Sequence, residues 1–346
     1  MKALQYVAVG EPPVIREIDL PTPGPGQILL RITAAGACHS DDFVMSLPGE
    51  AYRASYPLPM TLGHEGAGVV AELGDGVPGL EIGTPVVVYG PRGCGRCPAC
   101  VAGSENYCRY AVERGITPPG LGSPGCMADY LLVDSPRHLV PLGDLDPVKS
   151  VALTDAGLTP YHAIKPSLPK LVPGTVAVVI GAGGLGHLGI QMLRALSSAT
   201  VIALDVSEDK RQLALDVGAH RALPSDNSAV KEVRRISRGR GATAIFDFVG
   251  IGATTALAAK LPHFESDIVV VGVGDGAVPV GIFTLPYATS VRATYWGTLP
   301  ELYEVLELAR TGAIHVETEQ FSLDEAPEAY RRLKEGTLRG RAVVVP

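Results

Sequence analysis

No stretch of the 346 residues is apolar for long enough to cross a bilayer as a helix, which excludes an integral membrane protein of that kind. Nor is there a basic block. Lys and Arg number 29 against 36 Asp and Glu, and the net charge of −7 argues against nucleic acid and anionic membranes as partners. The opening residues Met1-Lys2-Ala3-Leu4-Gln5-Tyr6-Val7 alternate like a strand and hold no signal-peptide core, so the expected location is the cytoplasm. Cysteine is sparse, six in all with four clustered, which suits a reducing compartment better than a secreted scaffold. Internal repeats and low-complexity tracts are absent. Aromatics make up 5%, with one tryptophan, Trp296. What is present is 46% hydrophobic residues, a mean hydropathy of +0.22 and length enough for two domains. The reading left is a soluble intracellular enzyme.

Four of the cysteines, Cys94, Cys97, Cys100 and Cys108, read C-x2-C-x2-C-x7-C. Each short gap turns two thiolates toward one point, and four at about 2.3 Å close a tetrahedral Zn²⁺ site with no position open for substrate. Such a site holds a loop together and does no chemistry. Disulfides and an iron–sulfur cluster are the rival readings; the short gaps strain a bridge, and the spacing lacks the ferredoxin pattern. Cys126 stands outside every motif and reads as an ordinary free thiol.

The first half is β-rich and loop-rich, with apolar stretches at 28–34, 68–73, 85–89 and 127–133 separated by Gly and Pro. From about residue 150 strands and helices alternate. Strands are expected at 176–180, 200–204, 244–249 and 268–273, and helices at 185–196, 208–217 and 230–237. That alternation implies a doubly wound parallel sheet. The pattern ends near 291–296, and helices at 301–310 and 323–335 lead to a last strand at 342–345.

Gly181-Ala182-Gly183-Gly184-Leu185-Gly186 follows a strand directly and opens a helix, the context a dinucleotide fingerprint requires. Gly181 allows the tight turn, Gly183 admits a pyrophosphate, and Gly186 lets helix and strand pack closely. The helix amino terminus then meets the phosphates. Asp205 closes the next strand, where a carboxylate accepts hydrogen bonds from ribose hydroxyls. A 2′-phosphate would meet a like charge there, and the cations Lys210 and Arg211 lie further along, so NAD is expected rather than NADP.

Two further motifs are Cys38-His39-Ser40-Asp41 and Gly63-His64-Glu65-Gly66. Together with the cysteine lobe and the glycine fingerprint, in this order, they make the whole chain resemble the zinc-dependent medium-chain alcohol dehydrogenases, and among them the bacterial secondary-alcohol dehydrogenases that also act as carbonyl reductases. The resemblance implies a Rossmann-type domain at 151–292 and a β-rich, GroES-like catalytic domain at 1–150, with a zinc lobe at about 91–110 and a return at 293–346. The active site would lie in the cleft between them.

The same resemblance implies two Zn²⁺ per chain, one structural and one catalytic. Cys38 and His64 match two ligands of the catalytic zinc; the third, most often Cys in the family, falls on Asp155 when the alignment runs through Thr159. Glu65 matches a carboxylate beside the metal, with an ion pair to Arg339 as its bland alternative. Ser40 matches the hydroxyl that takes the alcohol proton, and also reads as a helix cap for a segment beginning at Asp41. Many relatives carry a relay histidine where this chain has Phe43. His39, Thr159, Lys210 and Arg339 are implied on the cofactor side, with Gly181, Gly183, Gly184, Leu185, Gly186 and Asp205. Phe43, Tyr56, Leu121, Phe283, Tyr295 and Trp296 are implied to line the substrate pocket.

The implied reaction is hydride transfer between NAD and medium-sized or aryl secondary alcohols or ketones, with an alkoxide held on zinc. The implied assembly is a homodimer or homotetramer. The alternatives are a polyol or primary-alcohol dehydrogenase on the same scaffold, a zinc-free quinone reductase, against which the cysteines speak, and a non-catalytic NAD-binding protein.

Overall fold

The computed structural model describes residues 1–346, apart from the side chain of Ala54. It divides into two compact units, one of Met1–Asp155, Gly297–Arg310 and Val316–Pro346, the other of Ala156–Trp296 and Thr311–His315. Both crossings fall a few residues beyond the boundaries expected from the sequence, and the sequence reading contains no excursion at Thr311–His315. Among the described residues no helix is long and apolar enough to cross a membrane.

The second unit holds a six-stranded, all-parallel sheet in the order Arg221–Pro224, Thr200–Asp205, Val176–Ile180, Ala242–Asp247, Pro262–Val270, Ser290–Ala293. In chain order this is 3-2-1-4-5-6, the arrangement of dinucleotide-binding sheets. Val176–Ile180 is buried at every residue, which is why it reads as an unbroken apolar run and not as alternation. The strand expected to run on to 273 stops at Val270. The N–H groups of Val271 and Gly272 turn instead to the Asp247 carbonyl (2.8 and 3.1 Å). The helix expected from 230 begins at Asn227, because Asp226 caps it by accepting from the Ser228 N–H at 2.7 Å.

The first unit is built on a sheet ordered Thr318–Ser322, Arg341–Val345, Ile28–Ala37, Glu65–Leu73, Pro85–Val88, Leu139–Pro141, with Tyr130–Val133 paired to the start of Ile28–Ala37. Val14–Glu17, Lys2–Tyr6 and Met60–Thr61 form a smaller antiparallel sheet. Ile28, Leu30, Val86 and Val344 pack into one apolar core, which Tyr330 and Leu333 of helix Ala326–Lys334 also enter. The consequence for function lies in the register. Ala342 pairs with Ala37 and Gly36 pairs with Glu65, so three neighbouring strands deliver Cys38, Glu65 and Arg341 to one place.

Candidate active site and metal centres

Cys38 follows strand Ile28–Ala37, His64 precedes strand Glu65–Leu73, and Asp155 follows the turn Val151–Thr154. The three side chains converge with their ligand atoms within 4.8 Å of one another, all buried. Asp155 Oδ2 lies 3.5 Å from Cys38 Sγ and 3.4 Å from His64 Nε2. Around a tetrahedral Zn²⁺ with ordinary bond lengths those edges would be about 3.6 and about 3.4 Å. The donor set and its spacing therefore fit zinc, with three protein ligands as in catalytic sites.

A buried polar frame holds these donors. His64 Nδ1 hydrogen-bonds Asp41 Oδ1 at 2.8 Å, which orients Nε2 toward Asp155. Asp41 Oδ2 in turn accepts from the Tyr330 hydroxyl (2.8 Å) and the Cys38 N–H (3.2 Å). Burial alone would lower the His64 pKa, but Asp41 and Cys38 outweigh it and hold the imidazole well above its ordinary value. Glu65 is fully buried, and the Arg341 guanidinium grips both of its oxygens, Nε to Oε2 at 3.0 Å and Nη2 to Oε1 at 2.5 Å. Burial pushes the Glu65 carboxyl up and Arg341 opposes it. The same Nη2 reaches Asp155 Oδ2 at 3.3 Å. Gly36 is required opposite: a Cβ there would stand 1.7 Å from Glu65 Oε2.

Two sequence expectations are corrected here. The partner of Glu65 is Arg341, not Arg339, which is exposed and whose N–H donates to Glu319. Ser40 is not a helix cap. Helix His39–Ser46 starts two residues earlier with Cys38 at its cap, and Asp41 takes the capping hydrogen bond. Ser40 Oγ instead lies 3.7 Å from Cys38 Sγ. Asp41, Tyr330 and Arg341 were missed by sequence reasoning. Asp41 carried a signal, an acid three residues after a cap; Arg341 is one of several late arginines, and only strand register singles it out.

In the cysteine lobe, Cys97 Sγ lies 3.5 Å and Cys94 Sγ 3.9 Å from Cys100 Sγ, and all six cysteines are free. A disulfide needs about 2.05 Å. Four thiolates around zinc stand about 3.8 Å apart, which is what this lobe approaches. The N–H groups of Cys94 and Cys97 point at the sulfurs of Cys108 and Cys94 (3.3 Å each). Backbone N–H groups of Cys100 and Arg109 do the same for Cys97 and, against burial, bring its thiol down to about 6. Beside the lobe, buried His138 bridges Glu105 (3.1 Å) and Asp134 (2.9 Å). Burial works against the Asp134 charge, but His138 and Arg92 hold its carboxyl at about 2, below the ordinary 3.8. A depressed carboxyl contributes stability that is present above the ordinary pKa and lost as pH falls through the folded one. Asp134→Asn is therefore expected to flatten the loss of stability between about pH 4 and about pH 2, measured by urea titration across that range.

In the second unit Gly181 turns with φ +86°, and a Cβ on Gly186 would stand 1.8 Å from the Gly181 carbonyl oxygen. Gly183, Gly184 and Leu185 lie at the surface of this turn, and nothing lies within 4 Å of a Cβ built on Gly183. Asp205 accepts from the N–H of Ala182 (2.8 Å) and of Ser207 (2.9 Å), one bond on each carboxylate oxygen, which leaves lone pairs for two hydroxyls. Arg211 is committed elsewhere, to the Asp205 and Val206 carbonyls (2.9 and 3.0 Å) and to Glu208. Lys210 is half-buried, and Thr159 is buried in helix Leu158–Ile164.

The proposed pocket residues are scattered over both units. His39 and Phe43 lie exposed on helix His39–Ser46, while Tyr56 and Leu121 pack against the first unit's core. Trp296 is buried against Tyr295 in a T-shaped pair with ring centres 6.0 Å apart. Phe283 is 91% exposed, so nothing within its own unit encloses it as a pocket wall.

These two metal-type clusters and the glycine turn at the centre of a 3-2-1-4-5-6 sheet define a zinc-binding, dinucleotide-dependent oxidoreductase class. Residues 24–144 match the sequence model of the alcohol dehydrogenase GroES-like domain, and residues 184–311 that of the zinc-binding dehydrogenases. The chain is 35% identical over 99% of both chains to an NAD-dependent alcohol dehydrogenase of Sulfolobus acidocaldarius. It is 33% identical to a D-arabinose 1-dehydrogenase (NADP(+)) of Saccharolobus solfataricus, over 100% of this chain and 97% of that one. The crystal structure of the alcohol dehydrogenase of Aeropyrum pernix superposes with a TM-score of 0.91 over 100% of both chains at 34% identity. The chain belongs to the zinc-dependent medium-chain alcohol dehydrogenase family.

Proposed function

We propose that this protein oxidises medium-sized or aryl secondary alcohols, and reduces the matching ketones, with NAD as the hydride carrier and two Zn²⁺ per chain. The observation that carries the reading is the buried convergence of Cys38, His64 and Asp155 at zinc-like spacing. A bound Zn²⁺ supplies a Lewis acid that brings an alcohol hydroxyl toward ionisation at neutral pH, and the dinucleotide supplies the hydride acceptor. Two anionic donors and one neutral one balance a divalent ion, so Asp155 keeps the charge that a third-ligand cysteine would bring. Ser40 Oγ, beside Cys38, is the group that accepts the alcohol proton first. Phe43 cannot carry it further; ribose and water complete its exit. Arg341 opposes the burial that pushes the Glu65 carboxyl up, and holds both of its oxygens in place.

On the cofactor side, Asp205 repels a 2′-phosphate while Arg211 is tied to backbone carbonyls, which supports NAD. Asp205→Ala is expected to raise the ratio of kcat/KM with NADP to that with NAD by at least about tenfold, or about 1.4 kcal/mol. An unchanged ratio would remove Asp205 as the discriminator. The exposed residues Val280, Ile282, Phe283 and Tyr287 precede the edge strand Ser290–Ala293, and this apolar run supports a homodimer or a larger homo-oligomer. The six free cysteines support a reducing, cytoplasmic setting.

The deciding experiment follows NADH formation at saturating NAD with 1-phenylethanol, sorbitol and D-arabinose. Turnover of the aryl alcohol in preference to both others is expected, because an apolar site cannot satisfy their hydroxyls. Preferential turnover of D-arabinose or sorbitol would keep the metal and cofactor assignments and move the substrate to the sugar class, as one relative's name suggests.

A further inference from the structure

The first unit contains a cavity of about 730 Å³ that none of the Cys38, His64 or Asp155 side chains lines. It lies between the small amino-terminal sheet, the 115–125 loop and strand Tyr130–Val133, and its size is that of a small-molecule site. Ile18, Pro21, Met60, Ile116 and Leu131 give it an apolar wall. Two polar groups in that wall are under-used. Gln5 is 93% buried, and its amide makes one side-chain contact, from Nε2 to Thr61 Oγ1 at 3.2 Å; Oε1 is buried with no partner. Turning the amide over would only exchange which end is orphaned. Arg92 donates to the Tyr89 carbonyl at 2.9 Å and forms no ion pair among the described residues.

A guanidinium presents five donors and stays charged, and leaving it largely enclosed with one carbonyl acceptor and no paired anion is costly. Burial lowers the Arg92 pKa, and the nearby Asp134 only partly offsets this. The cavity's two carboxylates do not meet the need. Asp134 is engaged by His138, and Asp19 is exposed to solvent, where its charge is screened. An acceptor of negative charge for Arg92, a hydrogen-bond donor for Gln5 Oε1 and an apolar body together describe one kind of molecule.

We propose that this cavity is a second ligand site, separate from the catalytic centre, which binds an amphipathic hydroxycarboxylate. Its carboxylate would sit on Arg92, its hydroxyl would donate to Gln5 Oε1, and its aliphatic part would cover the wall around Met60 and Leu131. The assignment does not depend on which alcohol the enzyme oxidises.

Calorimetric titration of the zinc-loaded enzyme with 3-hydroxyoctanoate tests it, alongside octanoate, which lacks the hydroxyl. One molecule per chain is expected to bind, and Arg92→Met should weaken it by at least about tenfold. Ile116→Trp, which fills the cavity from a surface loop, should abolish binding while kcat/KM for 1-phenylethanol stays unchanged; it serves also if Arg92→Met fails to fold. The parent should prefer 3-hydroxyoctanoate over octanoate, and Gln5→Leu should erase that preference. Absence of binding to the parent overturns the proposal. So does binding that survives both Arg92→Met and Ile116→Trp and competes with the alcohol, because the acid would then occupy the catalytic site.

Discussion

Replacing Arg341 with methionine is expected to cost about 3–5 kcal/mol of stability, the range seen when one partner of a buried ion pair is removed. Glu65 is fully buried and Arg341 nearly so, and each oxygen of the Glu65 carboxylate receives its hydrogen bond from this one guanidinium. Without it the carboxylate loses the guanidinium that most opposes its desolvation, and burial drives it toward taking up a proton. Asp155 loses a donor at the same time. Urea denaturation of the zinc-loaded protein measures the cost, and Arg341→Met with Glu65→Gln should recover part of it, because the stranded charge is then gone. Arg341→Lys should fall between, since an ammonium cannot match both carboxylate oxygens. A single variant as stable as the parent would mean that water reaches Glu65 freely.

Loss of turnover is the second large effect. His64→Ala or Cys38→Ser removes one of three donors, and both are expected to lower kcat by on the order of a thousandfold, equivalent to about 4 kcal/mol of barrier. Metal analysis should fall from the proposed two zinc per chain toward one, because the four cysteines at 94–108 form a separate cluster. NAD binding, followed by quenching of protein fluorescence, should survive. The glycine turn and Asp205 belong to the second unit and share no residue with the donor cluster. If NAD binding disappears from a folded variant, this division of labour is wrong. If a variant keeps both zinc ions and full turnover, the donor cluster is not the catalytic centre.

Much of this site was legible in one dimension. The cysteine cluster and the glycine turn are local: their chemistry is set by spacings of a few residues, which loop and helix geometry convert directly into converging thiolates or an open turn. The strand–helix alternation that carries the second unit is local too, and its 3-2-1-4-5-6 order follows from right-handed crossovers once the elements exist. Resemblance placed Cys38, His64 and Asp155 as a set, although 117 residues separate the first from the last.

What the amino-acid sequence determined by itself, then, was the family, the local metal and nucleotide motifs, and the class of fold. What only the tertiary structure decided was the surroundings of the donors. The choice of Arg341 over Arg339 depends on where the last strand begins: Arg341 opens strand Arg341–Val345 and is buried against Glu65, whereas Arg339 lies before the strand and is exposed. The Tyr330–Asp41–His64 chain joins a late helix to an early one across 289 residues between Tyr330 and Asp41, with no spacing to announce it. The cavity beside Gln5 and Arg92 was equally invisible. An unsatisfied buried group is defined by the absence of neighbours, and neighbours are assigned by packing rather than by order along the chain.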